Sequence, residues 1–277
     1  MYYGSFFYIL SILFALLCVL AMWKILRHRS FKTQRITILA ITLLNIFQHF
    51  FKPVLYPQYS EMGFSHLQTA YNVCALMIII SPAVYLWGTC FLRNSLYVIG
   101  TFAGIGTIIL PIWFIGTDIS ELGWEYGRYY ICHLLLLLSS SLPLLLNHHK
   151  PSYKHFWHVG LGFLTALVFV LANNVILITS GYYAGVDSRD IFGALWDNNP
   201  CMMMGPYEPA PWTADLAVVF SPSVFLGNNP AGAYVPILWY AIPLYLGISF
   251  LSFIIFAALD RKNLKAAFRR LRKKPAQ

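Results

Sequence analysis

The sequence predicts an all-α fold, a polytopic membrane helical bundle with seven transmembrane helices, an outside N-terminus and a cytoplasmic C-terminus. Three observations lead to this class. Of the 277 residues, 58% are hydrophobic and only 10% are charged, whereas soluble domains carry about 25% charged residues. Seven apolar runs have roughly the 20 residues that a membrane-spanning helix needs. Lysine and arginine residues are concentrated in alternate connections between these runs.

Each apolar run can cross a hydrocarbon core of about 30 Å as a helix, the form that satisfies its own backbone polar groups in lipid. The first run has no basic residue before it and no evident small-residue cleavage site, so we expect a retained helix rather than a signal peptide. The seven runs are residues 4–23, 36–56, 67–87, 95–115, 128–146, 156–179 and 233–258.

The distribution of basic residues predicts the orientation. If the N-terminus lies outside, only Lys52, Arg128 and Arg189 lie outside with it, and the other Lys and Arg residues fall in cytoplasmic connections and the C-terminal tail. Such an excess of basic residues is typical of cytoplasmic segments. The tail can also meet anionic lipid headgroups. Membrane lipids are therefore the expected partners, and the net charge of +9 does not require nucleic acid.

We expect one membrane domain over residues 1–258 and a basic cytoplasmic tail over residues 259–277. Residues 180–232 form one long outside loop, whose apolar stretch "DLAVVFSPSVFL" is too short to span the membrane. The loop could be a lid over an outward-facing cavity or a packed cap without a gating role. The five cysteines show no metal-type spacing, and the sequence predicts neither a metal nor a cofactor.

The fourth run carries a GxxxG spacing at Gly100 and Gly104. Two small residues four positions apart lie on one helix face and allow a neighbouring helix to approach closely. The partner helix could belong to the same chain or to a second protomer.

Polar residues recur at a common depth in the predicted bundle. Several runs carry Asn, Cys or His in their outer halves; in the third run these lie roughly 8–10 Å below the helix end, at 1.5 Å per residue. Because unpaired polar groups are costly in lipid, we expect these side chains to face the interior and to line one pocket. The residues are Asn45, His49, Asn72, Cys74, Arg128, Tyr129, His133, Asn173 and Asn174.

Cys74 is a potential nucleophile in this cluster, provided that a neighbouring base activates its thiol. His133 or His49 could supply the base, and Tyr129 or an Asn side chain could orient the imidazole. The runs contain no obvious carboxylate, so a triad would need an amide or hydroxyl as its third member. The alternative is structural: Cys74 would be a small core residue, and His133 a hydrogen-bonded packing residue.

The third and fourth runs also carry a motif, within "CALMIIISPAVYLWGTCFLRNSLYVIGTFAGIGTIILP", made of Cys74, Pro82, Asn94, Tyr97, Gly100 and Pro111. This motif resembles the YwaF-type family of bacterial integral membrane proteins, and the resemblance is clearest over residues 65–180. "RYYICH", residues 128–133, is similar to the family's Arg-containing approach to a membrane His, and Asn173 or Asn174 to a later Asn. The family is distantly similar to eukaryotic phospholipid acyltransferases and, in helix arrangement, to androgen-induced membrane hydrolases.

The resemblance implies a lipid acyltransferase or hydrolase in a bacterial plasma membrane, with Cys74 as the acyl-accepting nucleophile and His133 as the base. Asn72 stands where the family motif commonly has His, which bears on whether the site is catalytic. The alternative function is a noncatalytic membrane protein that binds or transports a lipid or small ligand, or that takes part in assembly. The substrate or ligand would contact Asn45, His49, Asn72, Arg128, Tyr129, Asn173 and Asn174.

Overall fold

The computed structural model describes residues 6–55, 66–109, 119–183, 186–206, 212–227 and 234–272. Within these ranges the chain is helical and forms no strand, apart from an isolated bridge between Leu226 and Tyr234. The predicted all-α class is therefore confirmed. Pro111 of the motif and the last residues of the basic tail, 273–277, lie outside the described residues.

The described residues form eleven α-helices, two of which are short and lie between α7 and α10. In chain order they are α1 (Phe6–Leu26), α2 (Phe31–Phe50), α3 (Lys52–Leu55), α4 (Val73–Trp87), α5 (Cys90–Ile109), α6 (Ile119–Leu145), α7 (Trp157–Thr179), α8 (Ile191–Asn198), α9 (Trp212–Phe220), α10 (Leu238–Leu259) and α11 (Arg261–Arg272).

Six of the described helical segments are long and apolar enough to cross a membrane, and they correspond to six of the seven predicted runs. They are Phe6–Leu26, His66–Trp87, Cys90–Ile109, Gly127–Leu145, Tyr153–Thr179 and Leu238–Leu259. The helix α2 coincides with the remaining run but is not among the six; its buried residues include Gln34, Thr42 and Asn45. These helices are compatible with an integral membrane protein, while the seventh span and the orientation stay predictions.

The core of the bundle is centred on α5, against which both α6 and α7 pack. The helix α6 packs along α5, α2 and α1, whereas α7 packs along α5 and α10. Leu136 of α6 and Leu167 of α7 are fully buried in these contacts. The peripheral helices α1 and α10 instead expose large apolar side chains, such as Leu17 and Phe250, which suits a surface in contact with lipid tails.

The GxxxG glycines place α5 directly against α6 of the same chain. A Cβ atom on Gly104 would lie 2.8 Å from the backbone nitrogen of Leu137, and one on Gly100 would overlap the Ser140 hydroxyl. Real Cβ atoms do not approach backbone so closely, so the contact requires glycine. Of the two uses that the spacing allowed, packing within one chain is the one observed.

Part of the predicted outside loop is packed onto the bundle as a cap. Met203 is fully buried, although Cys201 and Met202 both have φ of 57°, a left-handed backbone that costs a non-glycine residue about 1–2 kcal/mol. Two side chains at the start of α10 hold this backbone. Trp239 Nε1 donates to the carbonyl of Met202 at 3.0 Å, and the Tyr240 hydroxyl donates to that of Cys201 at 2.9 Å.

We expect Gly104→Ala to destabilise the protein by about 1–3 kcal/mol, since the added methyl group must push α5 away from backbone atoms of α6. Thermal unfolding of the purified protein in detergent, followed by tryptophan fluorescence, measures the effect. Gly106→Ala is the matched control on the same helix, because its Cβ would meet no atom within 4 Å. Equal melting temperatures for the two variants would contradict the close-packing role.

Candidate functional site

The predicted outer cluster holds the segment that leads into α4. Asn174, which is fully buried, donates from Nδ2 to the carbonyl of Tyr71 at 2.9 Å. Asn173 donates to the Thr69 hydroxyl at 3.0 Å. His49 Nε2 lies 3.3 Å from the Thr69 carbonyl oxygen. These side chains of α7 and α2 thus converge on residues 69–71, where they satisfy polar groups of a non-helical connection.

Two further amides of α2 contact the backbone of α6. Asn45 donates from Nδ2 to the carbonyl of Cys132 at 3.2 Å, and Gln48 donates to the carbonyl of Arg128 at 3.1 Å. The Oδ1 atom of Asn45 is buried and accepts no hydrogen bond from the described residues. The predicted polar positions on these helices therefore come together, and most of their donors are directed at main-chain oxygens.

Asn72 has a structural role at the start of α4. It is the N-cap residue, and its Oδ1 accepts a hydrogen bond from the backbone N–H of Ala75 at 2.8 Å. Asparagine is among the residues most favoured at this position, because its side chain satisfies a backbone donor that has no partner inside the helix. This capping role accounts for an Asn at the start of an apolar helix without invoking catalysis.

Cys74 and His133 are not joined by a hydrogen bond in the part of the chain that the structure describes. The Cys74 thiol interacts with the Thr107 side chain. The Thr107 hydroxyl donates to the Ala103 carbonyl. His133 Nδ1 lies 2.7 Å from the carbonyl oxygen of Tyr129 and donates to it. The catalytic dyad of Cys74 and His133 stays a prediction.

A second polar cluster lies at the opposite end of α4, where α2 and α5 begin. It surrounds an open cavity of about 160 Å³, which we call the two-arginine pocket; its lining residues are Phe31, Arg35, Tyr85, Leu86, Arg93, Tyr97 and His148. Arg93 Nε is buried and has no hydrogen-bond partner among the described residues. No carboxylate lines this pocket, and neither guanidinium forms an ion pair with the residues that the structure describes.

The wall of the two-arginine pocket is a hydrogen-bonded chain. Gln34 uses its amide nitrogen for two backbone carbonyls, so its oxygen accepts from His148 Nε2 at 2.8 Å. The neutral imidazole then carries no proton on Nδ1, which accepts from the Tyr85 hydroxyl at 3.0 Å. Burial, with a contribution from the positive charge of Arg35, lowers the pKa of His148. His148 is therefore neutral near pH 7.

Asn94 extends this network behind the pocket. It is fully buried, its Oδ1 accepts from His149 Nε2 at 2.6 Å, and its Nδ2 donates to His158 Nδ1 at 3.0 Å. Burial, assisted by the nearby charge of Arg93, lowers the pKa of His149 to about 4. The motif residue Asn94 thus connects the loop after α6 to the start of α7.

One group of side chains at this end has the composition of a metal site. The ligand atoms of Cys90, His155 and His158 all lie within 4.8 Å of one another. Cys90 Sγ is 4.0 Å from His155 Nδ1, and the two imidazole rings stack with centroids 4.8 Å apart. Among the described residues, Cys90, His155 and His158 are the group of potential ligands that could hold a metal ion.

None of Cys90, His155 and His158 was predicted from the sequence as a metal ligand. One local signal was available for the pocket: Arg93, Asn94 and Tyr97 lie within two turns of one helix, and "HH" at residues 148–149 follows the fifth run at the same predicted depth. The approach of Cys90 to two histidines more than sixty positions away has no local signal.

No protein-family model matches the chain, and neither a curated protein nor a solved structure does so. The resemblance to the YwaF-type family, and the roles that it implies for Cys74 and His133, accordingly stay predictions.

The two neighbouring histidines make the stability of this end depend on pH. Their pKa values are lowered in the folded protein, while in the unfolded chain they are about 6.5. As the pH falls from about 6.5 towards 4, the unfolded state takes up protons that the folded state does not, so the free energy of unfolding decreases. We expect His149→Gln to flatten this dependence, because Gln can still donate to Asn94.

The measurement is the melting temperature in detergent between pH 8 and pH 4.5. His28→Gln removes an exposed histidine and should retain the wild-type dependence. If His149→Gln loses stability towards acid as steeply as the wild type, His149 is not one of the groups responsible.

Proposed function

We propose that this protein is an integral membrane protein that binds the phosphate-bearing headgroup of an anionic lipid in the two-arginine pocket. Noncatalytic lipid binding is the alternative that the sequence left open, but the sequence predicted the ligand in the outer cluster rather than in this pocket. The observation that carries the proposal is the placement of Arg35 and Arg93 around one open cavity without an acidic partner among the described residues.

The electrostatics of the pocket favour an anion. Arg35 is exposed, whereas Arg93 is half-buried. The buried Nε of Arg93 has no acceptor among the described residues, and a buried donor is costly unless it is hydrogen-bonded. A guanidinium group presents donors in a planar fork that matches phosphate oxygens. A phosphate held between Arg35 and Arg93 would supply both the missing charge and the missing acceptor.

The size and position of the pocket favour a headgroup over a soluble metabolite. Its volume of about 160 Å³ is below the roughly 300–1,000 Å³ of typical small-molecule sites, so it fits a phosphate group better than a whole ligand. Trp87, next to the lining residue Leu86, is 78% exposed, and Phe31 is 64% exposed. Exposed aromatic residues are typical of the membrane interface, where lipid headgroups lie.

The predicted orientation agrees with this assignment. With the N-terminus outside, the beginnings of α2 and α5 face the cytoplasmic leaflet, in which anionic lipids are enriched. The proposal therefore includes seven spans with α2 as the second, and a pocket that opens towards the inner headgroup layer.

The test is thermal stabilisation of the detergent-purified protein by phosphatidylglycerol, compared with zwitterionic phosphatidylcholine. We expect stabilisation by phosphatidylglycerol alone, and we expect Arg35→Gln and Arg93→Gln each to weaken it about tenfold or more, since a hydrogen bond to a charged group contributes about 1.5–3 kcal/mol. Lys32→Gln is the matched control: it removes one exposed positive charge from the same helix without touching the pocket. Arg93→Lys keeps the positive charge but loses the planar pair of guanidinium donors that matches two phosphate oxygens.

Inorganic phosphate forms a separate arm of the same experiment. Stabilisation by phosphate at concentrations where the lipid has no additional effect would assign a soluble phosphorylated ligand instead. If both arginine variants respond to phosphatidylglycerol as the Lys32→Gln control does, the pocket is not the binding site.

Acyl transfer or hydrolysis at Cys74 is the second candidate function. One observation favours it: because His133 Nδ1 donates to the Tyr129 carbonyl, the Nε2 atom of the neutral ring is unprotonated and can act as a base.

Intact-protein mass spectrometry after incubation with mixed phospholipids separates the two candidates. Under the binding proposal we expect no covalent acyl increment and equal amounts of recovered lipid for the wild type, Cys74→Ala and the control Cys18→Ala. An acyl-sized increment in the wild type and the control that is absent from Cys74→Ala would establish covalent chemistry at this thiol.

A further inference from the structure

We propose that Cys90, His155 and His158 form a binding site for a zinc-class divalent metal ion. The proposal is independent of the two-arginine pocket. It rests on three side chains of the right chemistry that converge from two separate elements, the first turn of α5 and the turn that leads into α7.

The donor set defines the class of metal. One thiolate and two imidazoles are ligands that zinc prefers, and hard ions such as Mg²⁺ or Ca²⁺ prefer oxygen ligands instead. Three protein ligands leave the fourth tetrahedral position for a water molecule or another small ligand. Binding displaces the thiol proton of Cys90 into solvent as the sulfur–metal bond forms.

The spacing of the ligand atoms is close to what such an ion requires. With metal–sulfur and metal–nitrogen distances of about 2.3 and 2.0–2.1 Å, a tetrahedral site places sulfur and nitrogen about 3.6 Å apart. The observed distance from Cys90 Sγ to His155 Nδ1 is 4.0 Å. The two imidazole planes are within 3° of parallel, so a rotation of one ring is needed to direct both nitrogens at a common point.

The surroundings support two of the three ligands. Asn94 Nδ2 lies 3.6 Å from Cys90 Sγ, and an amide N–H near a thiolate stabilises its negative charge. The same Nδ2 also donates to His158 Nδ1 at 3.0 Å, so His158 binds the ion only after this hydrogen bond is given up. The Ser95 hydroxyl donates to the His158 carbonyl at 2.9 Å, which fixes the first turn of α7. Polar groups of this kind orient the ligands in metal sites of proteins. Cys90 is exposed, so an ion has access.

The experiment uses the full-length protein in metal-free detergent buffer, titrated with Co²⁺ as a spectroscopic substitute for Zn²⁺. We expect one ion per chain, visible bands typical of four-coordinate cobalt, and a near-ultraviolet thiolate-to-cobalt charge-transfer band that Zn²⁺ abolishes by displacement. Cys90→Ser should remove the charge-transfer band. Loss of a residue that only orients a metal ligand weakens metal binding about 10–100-fold. His155→Gln removes a ligand itself, so we expect it to weaken Co²⁺ binding by at least that factor.

Cys18→Ser and His28→Gln are the controls, each removing a residue of the same type elsewhere in the chain, and both should bind as the wild type does. Circular dichroism and the melting temperature without metal verify that every variant is folded. The proposal is overturned if the wild type gives no one-to-one charge-transfer band. It is equally overturned if the band persists in Cys90→Ser, which would place the ion on another thiol, or if His155→Gln binds like the controls.

Discussion

Polar side chains within apolar helices must find their partners inside the protein, because hydrocarbon offers none. This constraint organises both ends of the bundle. At the outer end the donors of Asn45, Gln48 and Asn174 are matched to carbonyl oxygens of α6 and of the connection before α4. The matched groups fix where α2, α6 and α7 lie relative to one another, and with them the register in which the core packs.

The same constraint acts differently at the two ends. In the outer cluster most donors are directed at the backbone, while Asn45 Oδ1 and Asn174 Oδ1 are buried without a partner among the described residues. At the inner end, the imidazoles and amides also satisfy one another, but two guanidinium groups face a cavity with their charge uncompensated by the described residues. Polar residues at both ends are equally conspicuous in the sequence, and only the directions of their donors separate the two cases.

The sequence predicted the long helices well, because a run of about 20 apolar residues has few alternatives in lipid. The predicted convergence of polar residues at one depth was also informative, since Asn174 and His49 do meet at the same short segment. The sequence also carried a local signal for the N-cap role of Asn72, since Asn directly before an apolar run is a helix N-cap signature.

Contacts between distant helices set the limit of such prediction. The approach of Cys90 to His155, or of Gln34 to His148, depends on how helices cross and on which face each presents. Hydropathy determines that a helix spans the membrane, yet it leaves the rotation of that helix about its axis almost free. Small residues such as Gly104 carry part of this information, because they fix where two backbones can touch.

The buried cap at residues 201–203 has a consequence for the biogenesis of the protein. Its backbone is held by Trp239 and Tyr240, which belong to α10 and are therefore synthesised after the cap itself. Until α10 is in place, the left-handed backbone lacks these two hydrogen bonds. This end of the bundle is thus completed by its last long helix, and a chain interrupted before that helix would leave the cap without this support.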